Sequence, residues 1–433
     1  MSNTQAKPHV VILGGNFAGL GCAQKIRQFC GDAVRITVID RKSYLLFVPN
    51  IPLEVMENRD PCAGLRMDLP PVLADDDIGF VQAEIEALDV DAKTVTFRPS
   101  ERPGAEAQHL RYDFLVVALG NRLAFDQIEG FAEHGHSVSD FYHGNRMRDY
   151  LFNGGYQGGP IAIGSARFHQ GDGADGLQPY PGGSIPRASA ACEGPPVEML
   201  ASMVTYLKQR KLGGERITLF TPGEMVAEDA GKKVVEQLLA YATSQGCHYL
   251  NQIQDISRIT HEGIEFSDGR SLAAELKIIF PDWVAHAFLK GLPIADSEGF
   301  IKTTLLMRNP DYPEVFAAGD AAAVTVPKLG AIGHQECEIV GRQIAVDVGR
   351  LTPDEANRPL QPVVYCIGDM GDGQAFYIRS NSWFGGTEEV LKIGRAPYFL
   401  KGIYKTQFFM RHGKMPNWGM SFAQLLTEHN ITA

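Results

Sequence analysis

Two cysteines hold the positions in this chain that are best suited to redox chemistry. Cys192 stands at the end of a long glycine- and proline-rich loop, where a helix is predicted to begin, and Cys366 stands at the end of a β-run. A helix N-terminus lowers the pKa of a nearby thiol and favours the reactive thiolate. The seven cysteines are scattered rather than arranged as a disulfide framework, so a pair that matters is expected to be redox-active. Taken singly, each could also be a small buried hydrophobe.

A glycine turn near the N-terminus carries a second kind of chemistry. Residues 9–22 read HVVILGGNFAGLGC, which keeps Gly14 and Gly19 of the dinucleotide-binding pattern G-x-G-x-x-G but has Asn16 at the middle glycine. Asp40 lies 21 residues after Gly19, at the distance where an acidic side chain reaches a ribose hydroxyl. Asn16 can replace the glycine if it adopts the left-handed conformation. A strand–helix turn without a ligand is the alternative.

Two later segments favour a flavin dinucleotide. Residues 112–120 read YDFLVVALG and residues 315–321 read VFAAGDA, and each is a buried strand that ends in small residues. Their order and spacing after the glycine turn are typical of flavoproteins with two dinucleotide-binding domains. In such proteins the second segment places its aspartate, here Asp320, against the ribityl and phosphate region of the flavin. The sequence therefore predicts FAD as the cofactor.

The elements that would position these residues follow an α/β pattern. The first unit is predicted as a strand over Val10–Leu13, a helix over about Leu20–Phe29 and a strand over Val34–Ile39. In the middle of the chain, a strand over Pro160–Gly164 is followed by a loop of about thirty residues instead of a second glycine pattern, and such loops are functional or disordered. The other middle elements are predicted as a helix from near Val197, a strand over Ile217–Thr221, a helix near Lys232–Gln245 and a strand pair around Ile256–Ser267.

The predicted fold class is α/β, with two Rossmann-like dinucleotide-binding domains of the glutathione-reductase kind and a C-terminal membrane-interface segment. A chain of 433 residues needs more than one core. The predicted domains are the first half of the FAD-binding domain over 1–155, a second Rossmann-like domain without its NADH site over 156–285, the return of the FAD-binding domain over 286–358, and a flavin cap with an amphipathic membrane-binding segment over 359–433.

Five stretches of the chain together resemble one family. They are GPIAIG at 159–164, ACEGPPVEM at 191–199, VFAAGDAAAVTVPKLG at 315–330, VVYCIGDMGDGQAF at 363–376 and SWFGGT at 382–387. They are similar to the archaeal-type branch of the sulfide:quinone oxidoreductases, which belong to the flavin disulfide-reductase superfamily. The resemblance covers essentially the whole chain. It implies an enzyme that uses FAD to oxidise sulfide to polysulfide or zero-valent sulfur and passes the electrons to a membrane quinone.

The resemblance also implies roles for single residues. Cys192 and Cys366 match the family's redox pair, which holds sulfur between the two thiols and is attacked by sulfide through thiol–disulfide exchange. Glu198 matches an acidic residue proposed to move protons, and His143 matches a histidine near the site. Glu198 could instead be a solvated helix residue, and His143 a satisfied loop histidine.

Further positions match the family's cofactor and quinone contacts. Ser139 stands where many members carry a third cysteine, which in some bonds covalently to the flavin, so non-covalent FAD is expected here. Tyr404 and Gly330 match positions near the quinone. The residues expected to contact FAD are Gly14, Asn16, Gly19, Asp40, Pro49, Ala83, Gly120, Gly319, Asp320 and Lys401.

The C-terminal region predicts contact with a bilayer. Residues 390–415 contain six Lys/Arg and no Asp or Glu, and aromatic residues interleave with the charges. This composition is typical of a helix that lies in the membrane interface. A packed helix with a solvated basic face is the alternative. We expect a peripheral, monotopic membrane protein on the cytoplasmic face, because no export signal precedes the first strand.

The remaining expectations concern partners and competing functions. A net charge of -11 argues against nucleic-acid binding, no metal site is expected, and a homo-oligomer is predicted. A type II NADH:quinone dehydrogenase would share the fold and the membrane helix but would need the missing second glycine pattern. The flavin subunit of a flavocytochrome sulfide dehydrogenase would share both cysteines but would pass electrons to a haem partner. A flavin-bound redox sensor or binding protein is the non-enzymatic alternative.

Overall fold

The computed structural model describes residues 6–102, 104–181, 183, 185–414 and 419–428, and it has the predicted α/β architecture. The strands are β1 (His9–Leu13), β2 (Arg35–Asp40), β3 (Tyr44–Leu46), β4 (Arg66–Asp68), β5 (Gly79–Asp89), β6 (Thr94–Pro99), β7 (Gln108–Arg111), β8 (Phe114–Val117), β9 (Arg122–Leu123), β10 (Ile161–Ser165), β11 (Ile217–Phe220), β12 (His248–Leu250), β13 (Ile256–Ile259), β14 (Gly263–Phe266), β15 (Ser271–Ala273), β16 (Leu276–Phe280), β17 (Trp283–Val284), β18 (Val315–Ala317), β19 (Val364–Gly371), β20 (Gln374–Ser380) and β21 (Glu389–Gly394). The α-helices are α1 (Phe17–Cys30), α2 (Ile51–Met56), α3 (Pro61–Gly64), α4 (Leu69–Ala74), α5 (Phe131–His134), α6 (Phe141–Phe152), α7 (Gly194–Gln209), α8 (Lys232–Ser244), α9 (Gly330–Asp347), α10 (Pro353–Ala356), α11 (Arg395–Met410) and α12 (Gly419–Thr427).

The larger sheet has seven strands in the order β18-β8-β1-β2-β5-β6-β7. The first five strands in this order are parallel to their neighbours, and β6 and β7 are antiparallel additions. Every residue of β1 is buried, as expected for a central strand of a parallel sheet that is covered on both faces. Because β18 joins a sheet whose other strands lie before residue 118, the chain returns to its first domain.

Two glycines allow α1 to pack tightly against the end of β1. Gly14 has φ +98°, and a Cβ there would lie 2.3 Å from the carbonyl oxygen of Ala118. A Cβ on Gly19 would lie 1.8 Å from the carbonyl oxygen of Gly14. Both positions therefore exclude any side chain. The helix begins at Phe17, one turn earlier than the sequence predicts.

The second sheet is parallel and has the order β12-β11-β10-β16. The loop between β10 and α7 is packed against the rest of the chain. Its two ends meet where Phe168 N–H donates to Ser189 O at 2.9 Å, and the Tyr180 hydroxyl donates to Val324 O at 2.7 Å. Gly182 and Ser184 in this loop lie outside the described residues. The loop thus joins the second sheet to the segment that follows β18.

The C-terminal region forms an antiparallel sheet, β19-β20-β21, followed by α11 and α12. The prediction of one helical segment over 390–415 was wrong at its start, because residues 390–394 belong to β21 and pair with β20. The helix itself occupies Arg395–Met410, and Met415 lies outside the described residues. The domain limits at 155, 285 and 358 stay predictions.

Gly19→Ala is expected to destabilise the protein, because the added Cβ would force α1 away from β1. Overpacking of this kind costs about 1–3 kcal/mol, so the thermal midpoint should fall by several degrees. Gly64→Ala is the control, since no described atom lies within 4 Å of a Cβ there. Equal midpoints for the two variants would contradict the packing described for α1.

Candidate active site

The two cysteines lie on segments that pack against each other. Cys192 stands two residues before α7, and Cys366 is the third residue of β19. A Cβ on Gly194, the first residue of α7, would lie 3.0 Å from the sulfur of Cys366. The second thiol therefore lies over the first turn of the helix that Cys192 precedes. Within the part of the chain that the structure describes, both thiols are free of disulfides.

Hydrogen bonds hold α7 along β19. The hydroxyl of Ser202 donates to Asp369 O at 3.0 Å, and that of Thr205 donates to Met370 O at 2.6 Å. The backbone N–H of Asp369 donates to Oε1 of Glu198 at 2.9 Å. Because each bond joins one turn of α7 to β19, the relative position of the two cysteines is fixed.

A buried ion pair lies beside Cys366. The ammonium of Lys401 on α11 donates to Oε1 of Glu198, and both side chains are less than a tenth exposed. Burial raises the pKa of Glu198, while Lys401 opposes that rise. Glu198 is therefore a buried carboxyl with a partner, and the alternative of a solvated helix residue is wrong.

Asp229 is a site residue that the sequence reasoning missed. It is buried in a turn at Glu228–Ala230. Its negative charge helps to raise the pKa of both Cys192 and Cys366. Burial raises the pKa of Asp229 to about 7. No motif marked this residue, because only the fold brings its turn to the cysteines.

Hydrogen bonds of two glutamates connect that turn to the segment before α7. Oε2 of Glu193 accepts a hydrogen bond from the N–H of Ala227 at 2.7 Å, and Oε1 of Glu228 accepts one from the N–H of Ser189 at 2.8 Å. Ala227 has φ +50°, a left-handed conformation that is costly for a residue with a Cβ. The reciprocal bonds hold Asp229 in place despite that cost.

The predicted lowering of the thiol pKa is wrong in this structure. Burial raises the pKa of Cys366 to about 12 and also raises that of Cys192. The nearby carboxylates add to the rise, since a second negative charge disfavours a thiolate. The effect of the helix N-terminus is smaller than the loss of hydration.

His143 lies in a local cluster on α6. Its Nδ1 is 2.7 Å from Oδ2 of Asp140, and its ring packs against Phe125 and Phe131 with centroid distances of 4.2 and 5.4 Å. Among the described residues, no hydrogen bond, ion pair or ring contact joins it to Cys192 or Cys366. These contacts fit the alternative of a satisfied histidine.

Eight of the ten residues predicted to contact FAD lie at one edge of the larger sheet. Parallel strands bring their carboxyl ends together there, which is where nucleotides bind in open α/β sheets. In chain order, β1 leads to Gly14, Asn16 and Gly19, β2 ends at Asp40, the part of β5 that pairs with β2 leads to Ala83, β8 leads to Gly120, and β18 leads to Gly319 and Asp320. Pro49 lies in a short 3₁₀ helix over Val48–Asn50.

The N-terminus of α1 fits a dinucleotide phosphate. Its first turn carries no acidic residue and no side-chain cap among the described residues, which leaves backbone N–H groups for an anion. Asn16 has φ −79°, so the left-handed conformation considered for it is absent, and its buried Oδ1 has no hydrogen-bond partner among the described residues. Asp40 accepts the N–H of Gly15 at 2.6 Å, which orients this carboxylate toward the turn.

A buried polar network supports the aspartate after β18. Oδ2 of Asp320 accepts a hydrogen bond from Asn121 Nδ2 at 2.9 Å, and Oε2 of Glu336 accepts one from Gly319 N–H at 2.6 Å. Burial lowers the pKa of Lys328 to about 8, opposed by Asp320 and Glu336. The residues of this edge therefore fit FAD. The hydroxyl of Ser139 lies 3.1 Å from that of Ser137.

The predicted quinone residues lie on different elements. Tyr404 on α11 packs near Phe47 with a centroid distance of 6.0 Å, and Gly330 is the exposed first residue of α9. No hydrogen bond or ring contact of the described residues joins the two. A cavity of about 400 Å³ lies along another stripe of α11, lined by Leu53, Tyr398, Phe399, Lys401, Gly402, Ile403, Thr406 and Gln407.

Half of the basic residues of the C-terminal region form ion pairs with acids of this chain. Lys401 pairs with Glu198, Lys405 with Glu54, and Lys414 with Asp76, which uses three of the six cations. The exposed apolar side chains fit the predicted interface better, since Phe399 is 57% and Met410 71% exposed. Across the described ranges, no helix is long and apolar enough to cross a membrane.

No group of three or more candidate metal ligands occurs in the part of the chain that the structure describes.

A family model described as pyridine nucleotide-disulphide oxidoreductase matches residues 8–163. Over 447 aligned residues, 24% are identical to the sulfide-quinone reductase of Aquifex aeolicus, covering 97% of this chain and 94% of that protein. The chain is similar to a sulfide-quinone reductase. The resemblance inferred from the sequence motifs is thus confirmed.

Two further proteins are similar to this chain, one in structure and one in sequence. The crystal structure of the Aquifex aeolicus sulfide:quinone oxidoreductase superposes with a TM-score of 0.79 at 20% identity, covering 96% of this chain and 95% of that one. An NADH dehydrogenase-like protein of Mycobacterium tuberculosis is 27% identical over 384 residues, covering 85% of this chain and 87% of that protein. The fold is therefore shared by relatives of both named kinds.

Lys401→Met is expected to destabilise the protein, because it leaves Glu198 buried without its cation. Breaking a buried pair costs about 3–5 kcal/mol, and Glu198→Gln/Lys401→Met should recover part of that loss. Urea denaturation followed by tryptophan fluorescence measures both. The control is Lys232→Met, whose partner Glu236 is exposed. If Lys401→Met has the same free energy of unfolding as Lys232→Met, the buried pairing of Lys401 with Glu198 is contradicted.

Asp229→Asn is expected to lower the pKa of Cys192, because it removes a negative charge that disfavours the thiolate. The effect should be clearest above pH 7, where the carboxyl is ionised. The pH dependence of iodoacetamide labelling, read by mass spectrometry of the Cys192 peptide, should shift to lower pH. Glu236→Gln, an exposed charge change, is the control. A profile like that of the control would mean that Asp229 does not face the thiol.

Proposed function

We propose that this protein is an FAD-dependent sulfide:quinone oxidoreductase, in which Cys192 and Cys366 form the redox pair. The observation that carries the proposal is the position of the Cys366 sulfur over Gly194, directly beside the segment of Cys192. Two free thiols so placed, at the junction of the middle and C-terminal sheets, match the two cysteine neighbourhoods that resemble the family. The likeness to the sulfide-quinone reductase of Aquifex aeolicus over nearly the whole chain supports the reaction class.

The proposed chemistry is thiol–disulfide exchange with sulfide as the nucleophile. In the oxidised state the two cysteines hold sulfur between them, and hydrosulfide attacks that sulfur while Cys366 leaves as a thiolate. The terminal sulfur of the chain on Cys192 would then re-form the bond to Cys366 as it gives up one proton and two electrons. The chain would leave as polysulfide when a further hydrosulfide attacks the sulfur bonded to Cys192 before the bridge closes, and Cys192 departs as a thiolate. Bound FAD would take the two electrons that each sulfur atom loses.

The buried carboxyls would accept and donate the protons of this reaction. Glu198 lies close enough to Cys366 to influence its pKa, and Asp229 influences both thiols. With a pKa raised to about 7, Asp229 can hold or release a proton near neutral pH. His143 has no contact that supports such a role, so we assign it none.

Cofactor binding is proposed at the carboxyl edge of the larger sheet. The first turn of α1 would receive the pyrophosphate, Asp40 the ribose, and Asp320 the ribityl and phosphate region. Lys401 would reach the flavin from α11 while it pairs with Glu198. Non-covalent binding follows from Ser139, since a serine cannot form the thioether that the family's third cysteine forms.

Electrons would leave to a membrane quinone through the α11 side of the molecule. The cavity of about 400 Å³ has Lys401 among its lining residues and opens beside the exposed Phe399 and Ile403. A cavity that borders both Lys401 and exposed apolar side chains supports a route for a quinone from lipid. We propose peripheral attachment through this face. Its location on the cytoplasmic side of the membrane and a homo-oligomeric state stay predictions.

An NADH:quinone dehydrogenase is the second candidate, and the likeness to the NADH dehydrogenase-like protein favours it. The loop after β10 disfavours it. In that loop Phe168 is buried against Phe300, and Gly173 N–H donates to Asp296 at 3.2 Å, so the loop packs onto the segment before β18. A pyridine nucleotide would bind at the carboxyl end of β10, where this loop starts.

Anaerobic bleaching of the flavin distinguishes the candidates. Sulfide should bleach the flavin of the purified protein rapidly, NADH should not, and a soluble quinone analogue should restore the absorbance. In Cys366→Ala the bleaching by sulfide should fall at least about a hundredfold, because the leaving thiol is lost. Cys62→Ala, a change at a partly exposed thiol far from both cysteines in sequence, is the control. Bleaching by NADH with indifference to sulfide would establish the dehydrogenase instead.

A further inference from the structure

Helix α11 is fastened to the body of the protein by two lysine–glutamate pairs that lie one turn apart. Lys401 pairs with Glu198 on α7, beside the cysteines. Lys405 donates to Oε1 of Glu54 on α2 at 2.8 Å. The second pair has no part in the proposed cysteine chemistry, yet it joins α11 to the first domain.

Glu54 is a buried carboxylate with two cationic partners. It is 4% exposed and receives two cations, Lys405 on Oε1 and Arg59 on Oε2. Burial alone would raise its pKa, but the bonds from the two cations outweigh burial and the pKa is lowered. A carboxylate that is kept charged and buried by two partners holds a fixed geometry.

The pair between Glu54 and Lys405 joins two elements, α2 and α11, whose neighbouring residues line the cavity. One wall includes Leu53, the residue before Glu54 on α2. The other wall is α11 itself, with Lys401, Gly402 and Thr406 on either side of Lys405 in sequence. The ion pair is therefore a direct link between α2 and α11 next to the cavity.

Partial shielding gives this pair its strength. The side chain of Lys405 is 26% exposed and that of Glu54 is 5% exposed, so salt and water screen the pair less than a surface pair. By contrast, Lys414 and Asp76 form a pair just beyond α11 in which the lysine is 52% exposed. That pair does not connect α11 to α2 and offers a matched comparison.

We propose that Glu54 is a positioning residue for the quinone. Through its ion pair with Lys405, Glu54 holds α2 and α11 at the distance at which the cavity admits the quinone ring. This inference rests on the proposed function, since it assumes a quinone as the electron acceptor. It predicts that loss of the pair weakens quinone binding and leaves the cysteine chemistry intact.

Stopped-flow reoxidation of the reduced enzyme tests the proposal without sulfide. The FAD-loaded protein is reduced with dithionite and mixed anaerobically with increasing concentrations of a soluble quinone analogue. For Glu54→Gln and for Lys405→Met, the concentration at half-maximal rate should rise about 5- to 10-fold, as expected for a partly shielded ion pair. The limiting rate should change by less than about twofold.

Matched variants separate positioning from general stability. If the two residues act through one bond, Glu54→Gln/Lys405→Met should be no worse than either single variant. Lys405→Arg keeps the pair and should bind the quinone analogue nearly as the wild type does. Lys414→Met removes a lysine of the same region and should leave the quinone dependence unchanged.

Three results would overturn the inference. They are an unchanged quinone dependence in both single variants, additive effects in the double variant, or a loss in limiting rate that follows the thermal midpoint. Failure of the proposed function looks different, because then the quinone analogue would not reoxidise the reduced wild-type protein. The wild-type protein could react with the quinone analogue and yet show no bleaching of its flavin by sulfide. That result would contradict the proposed function but not the role of Glu54.

Discussion

The buried ion pair between Glu198 and Lys401 is the interaction on which the arrangement of the site depends. Two opposite charges can leave water together only if they are paired and further hydrogen-bonded, and here the N–H of Asp369 supplies the additional bond. The three residues come from α7, α11 and β19. One contact therefore joins the helix that follows Cys192, the strand that carries Cys366 and the helix that bears the exposed apolar face.

The burial that this pair requires also determines the chemistry available to its neighbours. Loss of hydration raises the pKa of Cys366 to about 12 and that of Asp229 to about 7, so burial disfavours the charged forms of both groups. A negative charge is most stable in such a site beside a cation. Lys401 is a cation that lowers the pKa of Cys366 and so opposes part of the rise.

Much of the fold could be predicted because its signals are local. The buried run of β1, the glycine turn and the acidic end of β2 lie within one stretch of about thirty residues, and periodicity and glycine chemistry report such units directly. The same local reasoning placed α8 and β11 nearly where they lie. It failed at 390–394, which is apolar and basic like the helix after it but pairs with β20, a partner that only the tertiary fold supplies. It also missed Asp229, since no motif surrounds that residue.

The sequence by itself determined which chemical groups are present and in what order: two cysteines, a glycine turn with its distant acid, a serine in place of a third thiol, and a basic aromatic C-terminus. Only the tertiary structure decided how these groups are charged and what they touch. It directed Lys401 and Lys405 to buried glutamates rather than to lipid, it kept His143 in a cluster with Asp140, and it raised the thiol pKa values that a helix N-terminus would lower. The reason is physical: the charge state of a group depends on its hydration and its neighbours in space, and sequence spacing specifies neither.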